Sequence, residues 1–230
     1  MVSEKTYILA TIKDWNLDAF FKIQHQLPGK WLVITEQQAL RFNEVKKHNP
    51  RYIFFPHWSW KIPKEIIDAY DCVCFHMTDL PYGRGGSPLQ NLIENGHSKT
   101  KISALKMTSE FDAGNIFLKR SLSLHGSAQE IFVRCAHEVV EMIIEIVKSE
   151  PIPLPQIGEP TYFKRRTPEQ SALIGDMDTE VLYNHIRMLD ADTYPHAFIE
   201  FGNYRMLFSN ANIGDGEVTA HVRFVLLDDK

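Results

Sequence analysis

Cysteine is scarce in this chain, three residues in 230. Cys72, Cys74 and Cys135 form no Cys-x-x-Cys pair and are odd in number, which suits reduced thiols better than a disulfide or zinc framework. No metal is therefore expected. Excess positive charge is also missing. The formal net charge of -4 offers no basic field for a phosphate backbone, so nucleic acid is not an expected partner. Long apolar runs are absent too, since a stretch such as "EVVEMIIEIV" is amphipathic and too short to span a bilayer. The opening "MVSEKTYILATIKD" carries neither a basic segment nor a small-residue cleavage site. These features lead to the expectation of a cytoplasmic protein without membrane association. No internal repeat is visible.

What is present is ample core material, 44% hydrophobic residues, in an order that alternates strands and helices. "TYILATI" reads as a buried strand, followed by a helix in "LDAFFKIQHQL" with Leu17, Phe20, Phe21 and Gln24 on one side. "KWLVIT" is a second strand, "EQQALRFNEVKKHN" a helix with Leu40 and Val45 inward, "RYIFFPHW" a third strand and "PKEIIDAY" a helix. "DCVCFH" is the next strand, then "SPLQNLIENG" a short helix with Ser87 as cap, and "KISALKMTSEFD" a strand running to Asp112. A long helix from about Ser127 to Lys148 buries Ile131, Ala136, Val139, Val140, Ile143 and Val147 on one face, and the Pro-rich "SEPIPLPQIGEP" ends it. Beyond it come a helix in "TEVLYNHIRMLD", with Thr179 as cap, and an antiparallel meander with turns at Gly202-Asn203 and Asp215-Gly216. The expected fold is α/β, a Rossmann-like, mostly parallel sheet with flanking helices over 1–150. A small C-terminal helix and antiparallel β extension over 151–230 completes it.

The stretch "CFHMTDLPYGRGGSPLQ" draws attention within that order. Ligands of open parallel sheets bind beyond the carboxyl ends of the strands, and His76 closes one of them. A loop rich in Gly, Pro and polar groups follows. Taken singly, a strand-end histidine is more often structural than functional.

His76, Leu80, Pro81, Arg84, Gly85 and Pro88 resemble the His-x-Ser-x-Leu-Pro-x-x-Arg-Gly-x-x-Pro pattern of folate-dependent formyltransferases, with Thr78 in place of the usual Ser. "FDAGNIFLK" resembles the same family's Asp-x-Gly-x-Ile segment and sets Asp112 at the family's spacing from His76. The resemblance covers roughly residues 50 to 200. It implies a catalytic domain that moves a formyl group from 10-formyltetrahydrofolate to an amine, with His76 as electrostatic stabiliser and Asp112 as orienter and base. An amine attacking a formamide-like carbonyl creates an oxyanion and sheds a proton, so a donor and a base are what the chemistry requires. One departure concerns the third catalytic position, where the family has Asn and this chain has Cys74, a far poorer donor. Strand alternation still turns residue 74 to the same face as His76.

The loop residues Thr78, Leu80, Arg84 and Gly85, with Leu105, Met107 and Phe111 before Asp112, are the expected folate contacts. Those near the pterin act largely through backbone groups. Trp58 and Trp60, after a strand end, and Tyr82 are expected to wall the acceptor; core packing is the alternative for the tryptophans. The tail resembles that of sugar-nucleotide N-formyltransferases of surface-glycan pathways, which implies a nucleotide-linked amino sugar as acceptor and a homodimer. Tyr194, Phe198, Tyr204 and Phe208 fit a core, a stacking platform or a dimer seam. Three alternatives stay open: a formyltetrahydrofolate hydrolase, a methionyl-tRNA formyltransferase-like enzyme, and a folate-binding protein whose catalytic set has decayed at Cys74.

Overall fold

The computed structural model describes residues 4–227. Its contacts divide the chain into two compact units, one of residues 4–85, 101–122 and 133–162, the other of residues 86–100, 123–132 and 163–227. The units interleave in sequence, whereas the division drawn from the sequence at residue 150 follows chain order. The Pro-rich segment 151–162 belongs to the first unit.

Chain order in the first part is β1 (Thr6–Ala10), α1 (Asp14–Ile23), β2 (Lys30–Ile34), α2 (Phe42–His48), β3 (Tyr52–Phe55), α3 (Lys64–Ala69) and β4 (Asp71–His76). The short β5 (Arg84–Gly85) and α4 (Pro88–Glu94) follow, then β6 (Lys99–Lys106), β7 (Ile116–Ser123) and α5 (Ala128–Ser149). The six-stranded sheet has the order β2-β1-β3-β4-β6-β7. β1, β2, β3 and β4 run parallel, and β6 pairs antiparallel with β4. The expected mostly parallel α/β sheet is what the chain forms.

Alternation sorts the strand side chains onto two faces. Ile8, Ala10, Ile53, Phe55 and Cys72 pack with Leu40, Val45, Ile62 and Ile66 in one core cluster. The opposite parity supplies an aromatic layer in which Trp31 lies against Tyr7 at 4.9 Å, Phe20 at 5.2 Å and Phe54 at 5.8 Å. Parallel strands buried on both faces read as continuous apolar runs, which is why they were visible in the sequence.

Three local readings change. The segment 36–49 is a 3-10 turn at Gln37–Ala39, an extended break at Leu40 and Arg41, and then α2. In one continuous helix Leu40 and Val45 would stand about 140° apart, so the break is what lets both reach the core. α1 starts at Asp14 and buries Trp15, Asn16, Ala19 and Phe20, leaving Phe21 exposed. The strand expected to reach Asp112 stops at Lys106, and β7 is an additional strand.

In the second unit, α4 has Ser87 at its N-cap and Pro88 in its first turn, but the Ser87 hydroxyl accepts from the Arg166 N–H rather than capping the helix. The chain continues through β8 (Tyr162–Phe163), α6 (Thr179–Arg187), β9 (Ala197–Phe201), β10 (Tyr204–Gly214) and β11 (Glu217–Leu226). Asp178, not Thr179, caps α6 by accepting from the Val181 N–H at 2.8 Å. The last three strands form an antiparallel sheet in the order β11-β10-β9, with turns at the two expected dipeptides. Its register aligns three cross-strand rows on one face: Ala197, Phe208 and Val222; Ile199, Met206 and Phe224; Phe201, Tyr204 and Leu226. Every member is apolar or aromatic. Tyr194, half-buried, stacks on Phe132 at 5.1 Å. No helix among the described residues is long and apolar enough to cross a membrane.

His57, at a left-handed φ of 51° after β3, meets the edge of Trp15. Burial, then the Lys13 charge, pushes its pKa down to about 4. A histidine depressed in the folded state binds fewer protons than the unfolded chain between its two pKa values, so stability rises with pH there. The contribution is complete above about pH 6.5 and is lost as pH falls toward 4. His185, also lowered by burial, acts in the same direction. Urea midpoints measured from pH 7 to 4.5 are expected to fall for the wild type and to fall less steeply for His57→Asn, whose side chain tolerates the same backbone. Parallel curves would refute the assignment.

Candidate active site

β4 carries Cys72, Cys74 and His76 on one face and lies between β3 and β6. His76 is buried at the end of the strand. Its Nε2 lies 2.8 Å from the Gly83 carbonyl, and its Nδ1 faces Asp112 Oδ1 at 3.6 Å. A ring protonated at Nε2 donates to Gly83, which leaves Nδ1 as the nitrogen turned to the carboxylate. The gap is wider than a hydrogen bond.

The loop that returns Gly83 to the histidine is fixed from below. Ser103 Oγ donates to the Thr78 carbonyl at 2.7 Å and accepts from the Leu80 N–H at 3.3 Å. Lys119 reaches both the Asp79 carboxylate and the Leu80 carbonyl, and Lys101 joins Asp79 at 2.9 Å. Burial by itself raises the Asp79 carboxyl, but the hydrogen bonds from the two lysines prevail and hold it below its ordinary value. A cis peptide joins Leu80 to Pro81.

Asp112 sits in the loop between β6 and β7 at a φ of 54°, a left-handed conformation that Asp tolerates better than most residues. Its Oδ2 accepts from the Gly85 N–H at 2.9 Å. Two residues on, a Cβ at Gly114 would lie 1.7 Å from the Lys106 carbonyl oxygen, so glycine is required there. The loop folds back on the end of β6 through that contact.

Not every residue expected at the site faces it. The side chains of Thr78, Leu80 and Leu105 are enclosed, so only their backbone is available to a ligand. Met107 is half-buried in the cluster that includes Cys74 and Trp58, and its N–H donates to the Cys72 carbonyl. Phe111, beside Asp112, is 85% exposed. Trp58 packs edge-on against Phe55 and Trp60, which supports core packing, yet its buried indole N–H has no acceptor among the described residues. Trp60 is exposed, and Tyr82 is half-buried with its N–H on the Asp79 carbonyl. The Arg84 guanidinium is taken up by Gln156 and by Glu110 at 3.3 Å. Gln156 was missed because its segment reads as a proline-rich linker. Among the described residues no group of three or more His, Cys, Asp or Glu could hold a metal ion.

Burial, and after it the Asp112 charge, pushes the Cys74 thiol well above its ordinary value. A thiol in that state is neither a nucleophile nor an anion at neutral pH. Alkylation of Cys74 by iodoacetamide at pH 8, followed by peptide mass, is expected to be at least about tenfold slower in the native protein than in the unfolded chain. Equal rates would show an activated thiol.

A family model described as methionyl-tRNA formyltransferase, C-terminal domain, matches residues 168–225. A solved structure named methionyl-tRNA formyltransferase from Clostridium thermocellum is 49% identical, with a TM-score of 0.93, over 96% of this chain and 99% of its own. A curated methionyl-tRNA formyltransferase of Francisella philomiragia is 28% identical over 77% of this chain. The chain spans 41% to 59% of the length of the curated relatives it matches first. A sugar N-formyltransferase from a Shewanella species shares the fold at a TM-score of 0.63 and 12% identity, over 98% of this chain and 99% of its own. A likeness at 49% identity along nearly the whole of both chains, on a fold that brings both parts of the sequence pattern to one strand end, places this chain in the folate-dependent formyltransferase family.

Proposed function

We propose that the protein transfers the formyl group of 10-formyltetrahydrofolate to the primary amine of a nucleotide-linked amino sugar. The observation that carries formyl transfer is the pair of His76 Nδ1 and Asp112 Oδ1, 3.6 Å apart at the end of β4. The uncharged amine attacks the formyl carbon, and its nitrogen-carbon bond forms as the carbonyl oxygen takes negative charge. With Nε2–H held by the Gly83 carbonyl, a second proton on Nδ1 makes the ring an imidazolium whose Nδ1–H is the donor to that oxygen. Asp112, or a water it binds, takes the proton the amine sheds. Collapse of the adduct breaks the bond to the folate nitrogen, which leaves carrying the proton that Asp112 or its water took from the amine. Cys74 takes no covalent part, because its thiol stays protonated.

The amino sugar rests on the net charge of -4, which disfavours a polyanionic acceptor, and on the sequence resemblance of the tail, whereas the family model matching 168–225 speaks for the other acceptor. A methionyl-tRNA acceptor is the second reading, favoured by the name of the 49% identical relative. The test is a mass-spectrometric panel with 10-formyltetrahydrofolate. Nucleotide-linked amino sugars, free amino sugars and methionyl-tRNA are each offered to the wild type, His76→Ala and Asp112→Asn. A sugar nucleotide is expected to be formylated, and each variant to lose on the order of a hundredfold in turnover. Formylation of methionyl-tRNA alone would overturn the acceptor, and normal turnover in either variant would overturn the catalytic pair.

The partner in assembly is a second copy of the chain, through the apolar face of the β9–β11 sheet. Ile199, Phe201, Tyr204, Val222, Phe224 and Leu226 are each at least 40% exposed on that one face. A contiguous surface of that kind exceeds what a monomer usually leaves in water, and a two-fold interface needs only one self-complementary patch. Light scattering is expected to give twice the chain mass of 26.6 kDa, and the double variant Phe201→Glu, Phe224→Glu to give the chain mass. A monomeric wild type at tens of micromolar would refute the interface.

A further inference from the structure

Gln156 belongs to the segment that ends the long helix in sequence, and nothing in the sequence pattern of the site includes it. Its side-chain amide makes four hydrogen bonds. Nε2 donates to the Asp112 carbonyl at 2.7 Å and to the Gly114 carbonyl at 2.9 Å, while Oε1 accepts from Arg84 Nη2 at 2.9 Å and Nε at 3.3 Å. One side chain thus ties both ends of the Asp112 turn to β5. The neighbouring backbone reinforces the tie. Leu154 and Ile116 exchange two hydrogen bonds, at 2.7 and 2.9 Å, and Thr161 accepts from the N–H groups of Gly83 and Arg84. Residues 153–161 are therefore a strap laid over both loops that form the site.

We infer that Gln156 is a positioning residue for the reaction, acting through Asp112. The reasoning rests on the formyl-transfer reading for its kinetic consequence, but the geometry stands without it. Asp112 holds a left-handed backbone, and among the described residues its carboxylate has one donor, the Gly85 N–H, besides the facing histidine ring. Its place opposite His76 is set by where the main chain of the turn lies. Gln156 anchors that main chain at residues 112 and 114, and no other side chain makes a described hydrogen bond to either carbonyl. A displacement of about 1 Å at a reacting group can cost on the order of a hundredfold in rate. Only an amide fits the role. It must donate twice to carbonyl oxygens and accept from a guanidinium, which a carboxylate or a methyl cannot do together.

The test compares Gln156→Ala, Gln156→Glu and Gln156→Asn with the wild type and with Asp112→Asn. Two readouts are taken. The first is the pair of ring-nitrogen chemical shifts of 15N-labelled His76 at a fixed pH, which needs no turnover. The second is kcat and KM for whichever acceptor the panel identifies. Gln156→Ala and Gln156→Glu are expected to move the His76 ring shifts toward those of Asp112→Asn. They are also expected to lower kcat about tenfold or more, with KM for the folate within about twofold. Gln156→Asn keeps the amide on a shorter stem and is expected to recover part of both signals. The Leu154–Ile116 pair remains in all variants, so thermal midpoints stay close to that of the wild type. Wild-type ring shifts in Gln156→Ala would overturn the inference whether or not the enzyme proves to be a formyltransferase. Full turnover in Gln156→Glu would overturn it too, by showing that only the Arg84 leg matters. Altered ring shifts with no formyl transfer to any acceptor in the wild type would uphold the positioning role and refute the functional reading alone.

Discussion

The site depends on keeping a carboxylate opposite an imidazole that has only one ring nitrogen to spare. Gly83 occupies His76 Nε2, so every use of the ring passes through Nδ1, and Nδ1 faces Asp112. Sheet order makes this meeting possible. β4 and β6 are antiparallel neighbours, so the loop leaving the end of β6 returns beside the strand on which His76 sits. The loop's details then set the distance: the left-handed turn at Asp112, the forced glycine at 114 and the Gly85 N–H on the second carboxylate oxygen.

Cys74 shows how the same geometry constrains chemistry. An amide at that position would present an N–H donor to a developing oxyanion, whereas a thiol presents a weak one. A thiolate would be a strong nucleophile, but burial and the negative charge of Asp112 both oppose its formation. The carboxylate proposed as base therefore also opposes the alternative covalent route. In the proposed reaction the oxyanion falls to His76 and to whatever backbone N–H groups approach it.

Legibility in the sequence followed the reach of the forces involved. Strands β1 to β4, the long helix and both turns of the C-terminal meander were readable, because apolar periodicity and Asp-Gly or Gly-Asn turns act over a few residues. The juxtaposition of His76 and Asp112 came from a resemblance, not from periodicity. What stayed hidden needed tertiary information. β7 alternates in burial, but "IFLKRSLS" was absorbed into the Asp112 pattern. The helix expected over 36–49 breaks because two core-facing leucine and valine side chains could not share one helical face. Gln156 was invisible because a glutamine among prolines reads as solvent-facing until its three partner residues, 42 to 72 positions away, are in place.

The treatment of Arg84 bears on how substrates are read. A free guanidinium in a phosphate- or carboxylate-binding loop presents a fork of donors to the ligand. Here Nε and Nη2 serve Gln156 and Nη1 serves Glu110, and the side chain is only 11% exposed. Its charge is spent on holding the Asp112 turn. The side chains of Thr78, Leu80 and Leu105 are likewise enclosed, so on the formyl-transfer reading they would meet a folate through backbone groups. Backbone groups suit the pterin, whose edge alternates donors and acceptors and carries no charge to be matched. In the proposed reaction the anionic parts of either substrate are then met outside that loop. On the formyl-transfer reading, acceptor choice is thereby separated from catalysis, since His76, Asp112 and their supports stay fixed while a surface outside that loop receives the rest of the amine substrate.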